Sequence, residues 1–309
     1  MSQIELAAWM KGLDVVLFVE NPLYFKLTSV AKQLGIRVVC VPMWEWLHPG
    51  MDWLKDVDLM LCPTRHTEDI LSAWKSKFRF EWNVDYISWP VDQTRLQFRQ
   101  RWFCRNFVYI HGSGGAIGAT RNADYREFRR KGFDALVSAA RLIPHIPITV
   151  YAFDKNLPDD LPPNLKIRPQ PDDNTVLYRN GDVCVLPSHW EGLGLPLLEC
   201  QAAGMPLVTT DAAPMNEHNP WKRIPVYRQD MAGVSRDIFI PYARIQPEQL
   251  AKLMQNIYGR FIGIASWKAR RFIEREHNWI TAAPKILLQI QKLFSSTTPR
   301  DSVNRLDSE

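Results

Sequence analysis

Residues 182–211 read DVCVLPSHWEGLGLPLLECQAAGMPLVTTD, and no other stretch constrains the fold as tightly. An apolar run at 182–188 ends in a glycine-punctuated loop and reads as a buried strand. Pro196 suits a first helical turn and Gly204 a C′ stop, so a short helix lies between them. A second apolar run, 207–211, follows. Strand, glycine loop, helix and strand form a parallel-sheet unit. In such units ligands bind outside the carboxyl ends of the strands, against the helix N-terminus. Glu191 stands in the loop and Glu199 follows eight residues later in the helix. Two carboxylates there repel a bare phosphate, so the ligand must also offer hydroxyls, as a sugar nucleotide does.

The pattern recurs along the chain. Apolar runs at 14–20, 36–42, 57–63 and 85–89 alternate with helical stretches at 22–35 and 67–74, behind a short helix at 3–12. A polar, arginine-rich segment, 93–106, reads as a connection. A second series starts at 107–110. It continues through a long loop to about residue 130, a helix at 131–142, strands at 147–153 and 164–168, and a short helix at 175–179. Helices at 248–258 and 266–294 close the chain, the latter with a break around 277–279, before a polar tail. The expected class is α/β, with two Rossmann-like domains whose parallel sheets face a central cleft. The boundaries are an abbreviated N-terminal domain at 1–100, a nucleotide-sugar-binding domain at 101–275, and a C-terminal helix and frayed tail at 276–309, the helix packing back on the first domain. A length of 309 residues accommodates this.

The 46% hydrophobic and 23% charged fractions are ordinary for a soluble globular protein. The longest apolar runs are strand-length, so no integral membrane segment is expected, and residues 1–12 lack the apolar core of a signal peptide. The five cysteines are odd in number and lie mostly in strand patterns. They read as reduced, buried thiols of a cytoplasmic protein, not as a disulfide or zinc framework. Net charge is +5, but nine Arg/Lys fall between residues 95 and 131 against Asp124 and Glu127. That zone either attracts phosphates beside a cleft or is a solvated surface. The twelve tryptophans are expected mainly in the core and between domains. No cluster has metal-ligand spacing, and no G-x-S-x-G nucleophile elbow occurs.

EGLGLPLLE followed by AAGMPLVTTDAAP-x-x-E resembles the nucleotide-sugar site of family-4-type retaining glycosyltransferases of the GT-B fold. RKGFDALVSAARLIP at 130–144, DYISWPVD at 85–92 and FIEREHNW at 272–279 agree with that pattern. The likeness spans roughly residues 85–294 well and 14–84 loosely. It implies that Glu199 holds the ribose through its vicinal hydroxyls and that Glu191 stands near the donor sugar. The backbone of Gly192, Leu193, Gly194 and Leu195 would face the sugar and pyrophosphate. Lys131 would bind the diphosphate with an arginine partner, Arg126 by spacing, with Arg121 and Arg130 as alternatives. Gly114 and Gly115 would allow close backbone approach, beside His111. Glu217 matches a later glutamate of the donor loop. The implied activity is retaining transfer of a sugar from a UDP- or GDP-sugar to a hydroxyl acceptor, with no cofactor and no metal; the nucleotide sugar is substrate.

The sequence departs from that pattern in its first domain, which lacks the usual glycine-rich loop after the first strand. The segment VPMWEW at 41–46 holds no histidine where one is usual. Glu45 could face the cleft there, with Trp44 or Trp46 stacking on a ligand. The acceptor stays open: a glycan, a lipid-linked sugar, a small molecule or a hydroxylated base in DNA. A non-catalytic GT-B protein that holds a nucleotide or a partner is the rival reading. Self-association is left open.

Overall fold

The computed structural model describes residues 2–22, 24, 26–111, 130–152, 157, 160–233 and 238–295. Arg121, Arg126, Gly114 and Gly115 lie outside the described residues.

The first unit is a four-stranded parallel sheet in the order β1 (Val15–Val19), β2 (Arg37–Val41), β3 (Leu59–Cys62), β4 (Asn83–Tyr86). Consecutive strands lie side by side, so right-handed crossovers put every connection on one face. That face carries α1 (Gln3–Met10), α2 (Leu27–Gln33), two short 3-10 turns and α3 (Arg65–Phe78). Leu6, Met10, Leu27, Val30, Trp53 and Leu71 pack there on Val16, Val38, Cys40, Met60 and Cys62. The other face holds the complementary residues Val39, Val41, Leu59 and Leu61, which no local connection reaches. The last helix, α8 (Trp279–Ser295), covers them with Ile286, Ile290 and Leu293. On β1 the cover reaches Val15 and thins beyond it. Leu17 and Val19 neighbour Val39 and Val41 in register, yet are 45% and 44% exposed.

The second unit is a six-stranded parallel sheet in the order β7, β6, β5, β8, β9, β10, with ranges Leu165–Pro169, Ile148–Ala152, Phe107–Ile110, Val183–Leu186, Leu207–Thr210 and Lys222–Ile224. Numbered from β5, that order is 3-2-1-4-5-6, the doubly wound arrangement. The strand order reverses between β5 and β8, and a crevice opens there at the carboxyl ends. β5 and β8 are buried along their whole length, as strands covered on both faces must be. α4 (Phe133–Leu142) and α5 (Leu195–Ala202) follow β5 and β8, and α6 (Pro247–Ile257) and α7 (Gly263–Glu276) complete the cover. No described helix is long and apolar enough to cross a membrane.

Two expectations change. No element is expected between 211 and 248, yet β10 and an antiparallel ribbon, β11 (Val226–Gly233) with β12 (Phe239–Ile245), form there. β10 and β11 carry too many polar residues to signal a buried sheet, and β12 is interrupted by Pro241. The basic zone is not one surface. Arg101 is buried, and its guanidinium donates to the carbonyls of Arg99, Tyr178, Gly181 and Ala203, so it seals the C-terminal end of α5. Lys131 is buried too. The tryptophans lie mainly in or against the cores, as expected: Trp44, Trp53 and Trp82 are buried, Trp46, Trp74, Trp89 and Trp221 pack on the core clusters, and Trp9, Trp102, Trp267 and Trp279 are exposed.

Two chain crossings join the units. The first leaves β4 through residues 87–91 and the second links α7 to α8. They touch: Val91 N–H donates to the His277 carbonyl (3.0 Å), and His277 Nδ1 meets the Trp89 carbonyl (2.8 Å).

Candidate active site

The crevice at the switch point of the second sheet faces the carboxyl ends of β1 and β2. Together they enclose a cleft of about 810 Å³. Its far end is lined by Gln170, Asp172, Asn174, Tyr178 and Glu199, its middle by Lys131, Arg130 and residues 191–196, and its near end by Glu20, Asn21, Met43, Glu45 and Trp46.

The middle is built by two backbone devices. Gly132 has φ +68°, and a Cβ on it would overlap the Pro187 carbonyl, so only glycine lets the start of α4 lie against the end of β8. This closeness brings Lys131 to Glu191: Lys131 Nζ donates to Glu191 Oε1 at 2.6 Å, and Ser188 Oγ donates to the same oxygen at 2.7 Å. Gly194, with φ +74°, turns the loop into α5, and Leu197 N–H donates to its carbonyl (2.8 Å). Pro196 stands in the first turn, where its missing N–H costs nothing. The start of α5 carries the positive end of the helix dipole.

The charges are buried, and their partners decide their state. Burial alone would raise the Glu191 carboxyl, but Lys131 and Arg130 hold it below the usual carboxylate range. Burial lowers the Lys131 ammonium, and Glu191 offsets part of that. His111, at the end of β5, is pushed down to about 4 by burial and by the charges of Lys131 and Arg130, so it is neutral. Its Nδ1 lies 3.3 Å from the Tyr109 hydroxyl. At the far end the Tyr178 hydroxyl donates to Glu199 Oε2 at 2.6 Å. Burial raises the Glu199 carboxyl, and this bond opposes the rise. Among the described residues no donor reaches Glu199 Oε1.

The structure therefore brings Glu191, Gly192, Leu193, Gly194, Leu195, Glu199 and Lys131 onto one cleft. It does not bring Glu217 there. That carboxylate accepts from the backbone N–H groups of Arg65 (2.8 Å) and His66 (2.9 Å), at the N-terminus of α3 in the first unit. Glu217 is not among the residues that line the cleft, and through these two bonds it joins the loop after β9 to the first unit. His189 and Trp190 pack on Tyr242 of β12, and the His189 N–H donates to the Arg130 carbonyl (2.8 Å). Trp44 Nε1 donates to the Glu191 carbonyl (2.9 Å), so it orients the loop from the opposite wall. Three further contributors had no sequence signal at their own positions: Tyr178, the Asn174–Gln170 pair, and His218, whose Nε2 meets the Leu193 carbonyl at 2.8 Å. Among the described residues no group of three or more His, Cys, Asp or Glu could hold a metal.

Residues 165–219, which run from β7 past the glycine loop and α5, match the family model described as Glycosyl transferases group 1. A search of curated proteins returns no matching sequence. Solved structures match over nearly the whole chain. A glycosyltransferase from Rickettsia africae superposes with TM-score 0.65 at 12% identity, over 96% of this chain and 81% of its own. Anabaena Alr3699/HepE in complex with UDP-glucose gives 0.64 at 12%, over 94% and 82%. The pneumococcal O-GlcNAc transferase GtfA in complex with UDP and GlcNAc gives 0.62 at 15%, over 94% of this chain. The chain spans only 60% of the length of GtfA. The strand, loop and helix that build the middle and far end of the cleft are thus similar to the group 1 glycosyltransferases, within an α/β architecture of the GT-B type.

Proposed function

We propose that the chain transfers a sugar from a UDP- or GDP-sugar to a hydroxyl acceptor, with retention and without a metal. One observation carries the reading. A carboxylate able to grip a ribose, Glu199, and a cationic, helix-capped pocket at Lys131 and Arg130 stand at two stations along one cleft. That spacing of chemistry suits a nucleoside diphosphate. Glu199 Oε1 would accept from the vicinal ribose hydroxyls, with Oε2 already fixed by Tyr178. The first turn of α5, Lys131 and Arg130 would stabilise the charge that develops on the departing diphosphate as its bond to the sugar C1 breaks. That charge is larger in the transition state than in the ground state, so these groups raise the rate. The UDP and UDP-glucose complexes of the structural relatives agree with such a ligand.

A thermal-shift panel of UDP, GDP and their hexose conjugates tests the donor, because a ligand that binds only the folded state raises stability by mass action. At least one nucleoside diphosphate should raise the melting temperature of the wild type and leave Glu199→Ala unshifted. If none shifts the wild type, the reading fails. Turnover that survives EDTA supports the metal-free part, and the anomer of the product reports retention.

The rival reading, a protein that binds a nucleotide without transfer, draws on the Lys131–Glu191 pair. The resting site already supplies its own anion to the cation that a diphosphate needs. Consumption of the donor with any hydroxyl acceptor eliminates that reading.

A further inference from the structure

The first unit contributes to the cleft a carboxyl group that faces Arg130 but leaves one oxygen without a hydrogen bond among the described residues. Glu45 follows the end of β2 in the 3-10 turn Trp44–Trp46. It is 3% exposed, and its Oε2 has no hydrogen-bond partner among the described residues. Its Oε1 lies 3.7 Å from Arg130, beyond hydrogen-bond distance. A buried carboxyl oxygen without a partner costs on the order of 1–3 kcal/mol, so such groups are rare unless a ligand completes them.

The location shows which part of a ligand would do so. Both carboxyl oxygens lie against Gly192, and a Cβ on that residue would overlap them. Gly192 immediately follows Glu191, so Glu45 faces the loop between the cationic middle of the cleft and its near end. Trp44, its neighbour, holds the Glu191 carbonyl and fixes the distance between the two walls. On the same wall Glu20 lines the cleft from the end of β1, with a left-handed φ of 66° that is uncommon outside glycine. Two carboxyl groups beside Asn21 make poor company for another phosphate. They match neutral hydroxyls, to which a carboxylate accepts and a carboxylic acid donates. Burial, opposed by Arg130, pushes the Glu45 carboxyl up to about 7, so both forms are present near neutrality.

We infer that Glu45 determines the choice of transferred sugar, its carboxyl group hydrogen-bonding a hydroxyl of a neutral hexose that projects from the diphosphate past Gly192 toward the first unit. The inference rests on the nucleotide-sugar reading above. It makes Glu45 a contact to the sugar alone, and it makes the width of the glycine loop at position 192 part of the same device.

Calorimetric titration of the full chain with UDP, UDP-glucose, GDP and GDP-mannose tests it, on the wild type, Glu45→Gln and Glu45→Ala. The wild type should bind one hexose conjugate more tightly than the corresponding diphosphate. Glu45→Ala should weaken that conjugate roughly 10-fold, the value of one hydrogen bond to a buried charged group, and leave the diphosphate alone within about twofold. Glu45→Gln, which still accepts and donates, should recover most of the loss. Equal weakening of diphosphate and conjugate would show that Glu45 acts through Arg130, and an unchanged hexose increment would show that it touches no sugar. Either result overturns the inference, as does a wild type that gains nothing from the hexose. A wild type that binds none of the four ligands instead defeats the nucleotide-sugar reading itself. Melting curves confirm that each variant is folded, and Glu45→Gln preserves the shape of the side chain.

Discussion

The two walls of the cleft are both parallel-sheet ends, but they are finished differently. On the second unit's wall both glutamates and the glycine loop have partners in place: Glu191 has Lys131 and Ser188, Glu199 has Tyr178, and His218 meets the Leu193 carbonyl. On the first unit's wall Glu45 keeps an orphan oxygen and Glu20 a left-handed backbone. The first arrangement is preorganised, which removes the cost of arranging dipoles when a ligand arrives. The second leaves hydrogen bonds for the ligand to complete. A donor could therefore dock on one wall and be discriminated by the other.

The sharpest way to break this contrast is to unpair the finished wall. Lys131→Ala would strand Glu191 as a buried, uncompensated charge and should cost about 3–5 kcal/mol. Urea denaturation measures it. The double variant Lys131→Met with Glu191→Gln should recover most of that stability and none of the diphosphate affinity. If Lys131→Ala is instead as stable as the wild type, the pair is not the anchor of this wall.

Titration separates the walls next, because their signs are opposite. Glu45 sits at about 7 in the folded chain against an ordinary 4.5, so the folded state binds the extra proton between these values. Its contribution is complete below about 4.5 and is lost as pH rises through 7. Glu45→Gln lacks this loss and should gain on the wild type across that window. His218 sits at about 4 against an ordinary 6.5, with burial the main cause. Here the unfolded state binds the extra proton, so stability is complete above about 6.5 and falls as pH drops toward 4. Melting temperatures from pH 4 to 8 for the wild type, Glu45→Gln and His218→Asn would resolve the two limbs. A difference between wild type and Glu45→Gln that does not grow with pH contradicts the assigned protonation.

The smallest effect concerns how the walls are held together. Glu217→Ala removes the carboxylate that receives two N–H groups at the start of α3, at a cost of about 1–2 kcal/mol. Thr64 still caps Thr67, so α3 itself should persist. Small-angle scattering should report a more open chain. An unchanged radius of gyration would mean that Trp44 and the chain crossings alone keep the walls in register.

What the sequence disclosed follows the range of each interaction. The unit from β8 to β9 was legible because strand run, glycine loop, helix and second strand are all local, and Pro196 and Gly204 punctuate them. Lys131 and Glu191 lie 60 residues apart, and only the family resemblance put them in one site. Trp44 and the Glu191 carbonyl lie 147 residues apart, and no period or spacing joins them. The contact of Glu217 with the start of α3 was not legible, because a motif records order along the chain and not what a loop meets across the fold. The open flank at Leu17 and Val19 was invisible for a related reason. A strand's own residues state which side is apolar, and a distant helix decides how much of it is covered.

The contact between the two chain crossings has a mechanical consequence. Val91 and His277 tie the crossings to each other, so the units are joined at one place by two strands of chain instead of one. A single tether allows twisting and sliding in every direction. Two tethers fastened side by side act as a pair of door pins: they permit the walls to swing about the line through them and resist shear of one wall past the other. Glu45 and Gly192 could then part and meet again in the same alignment, as the proposed reading of a sugar by Glu45 would require.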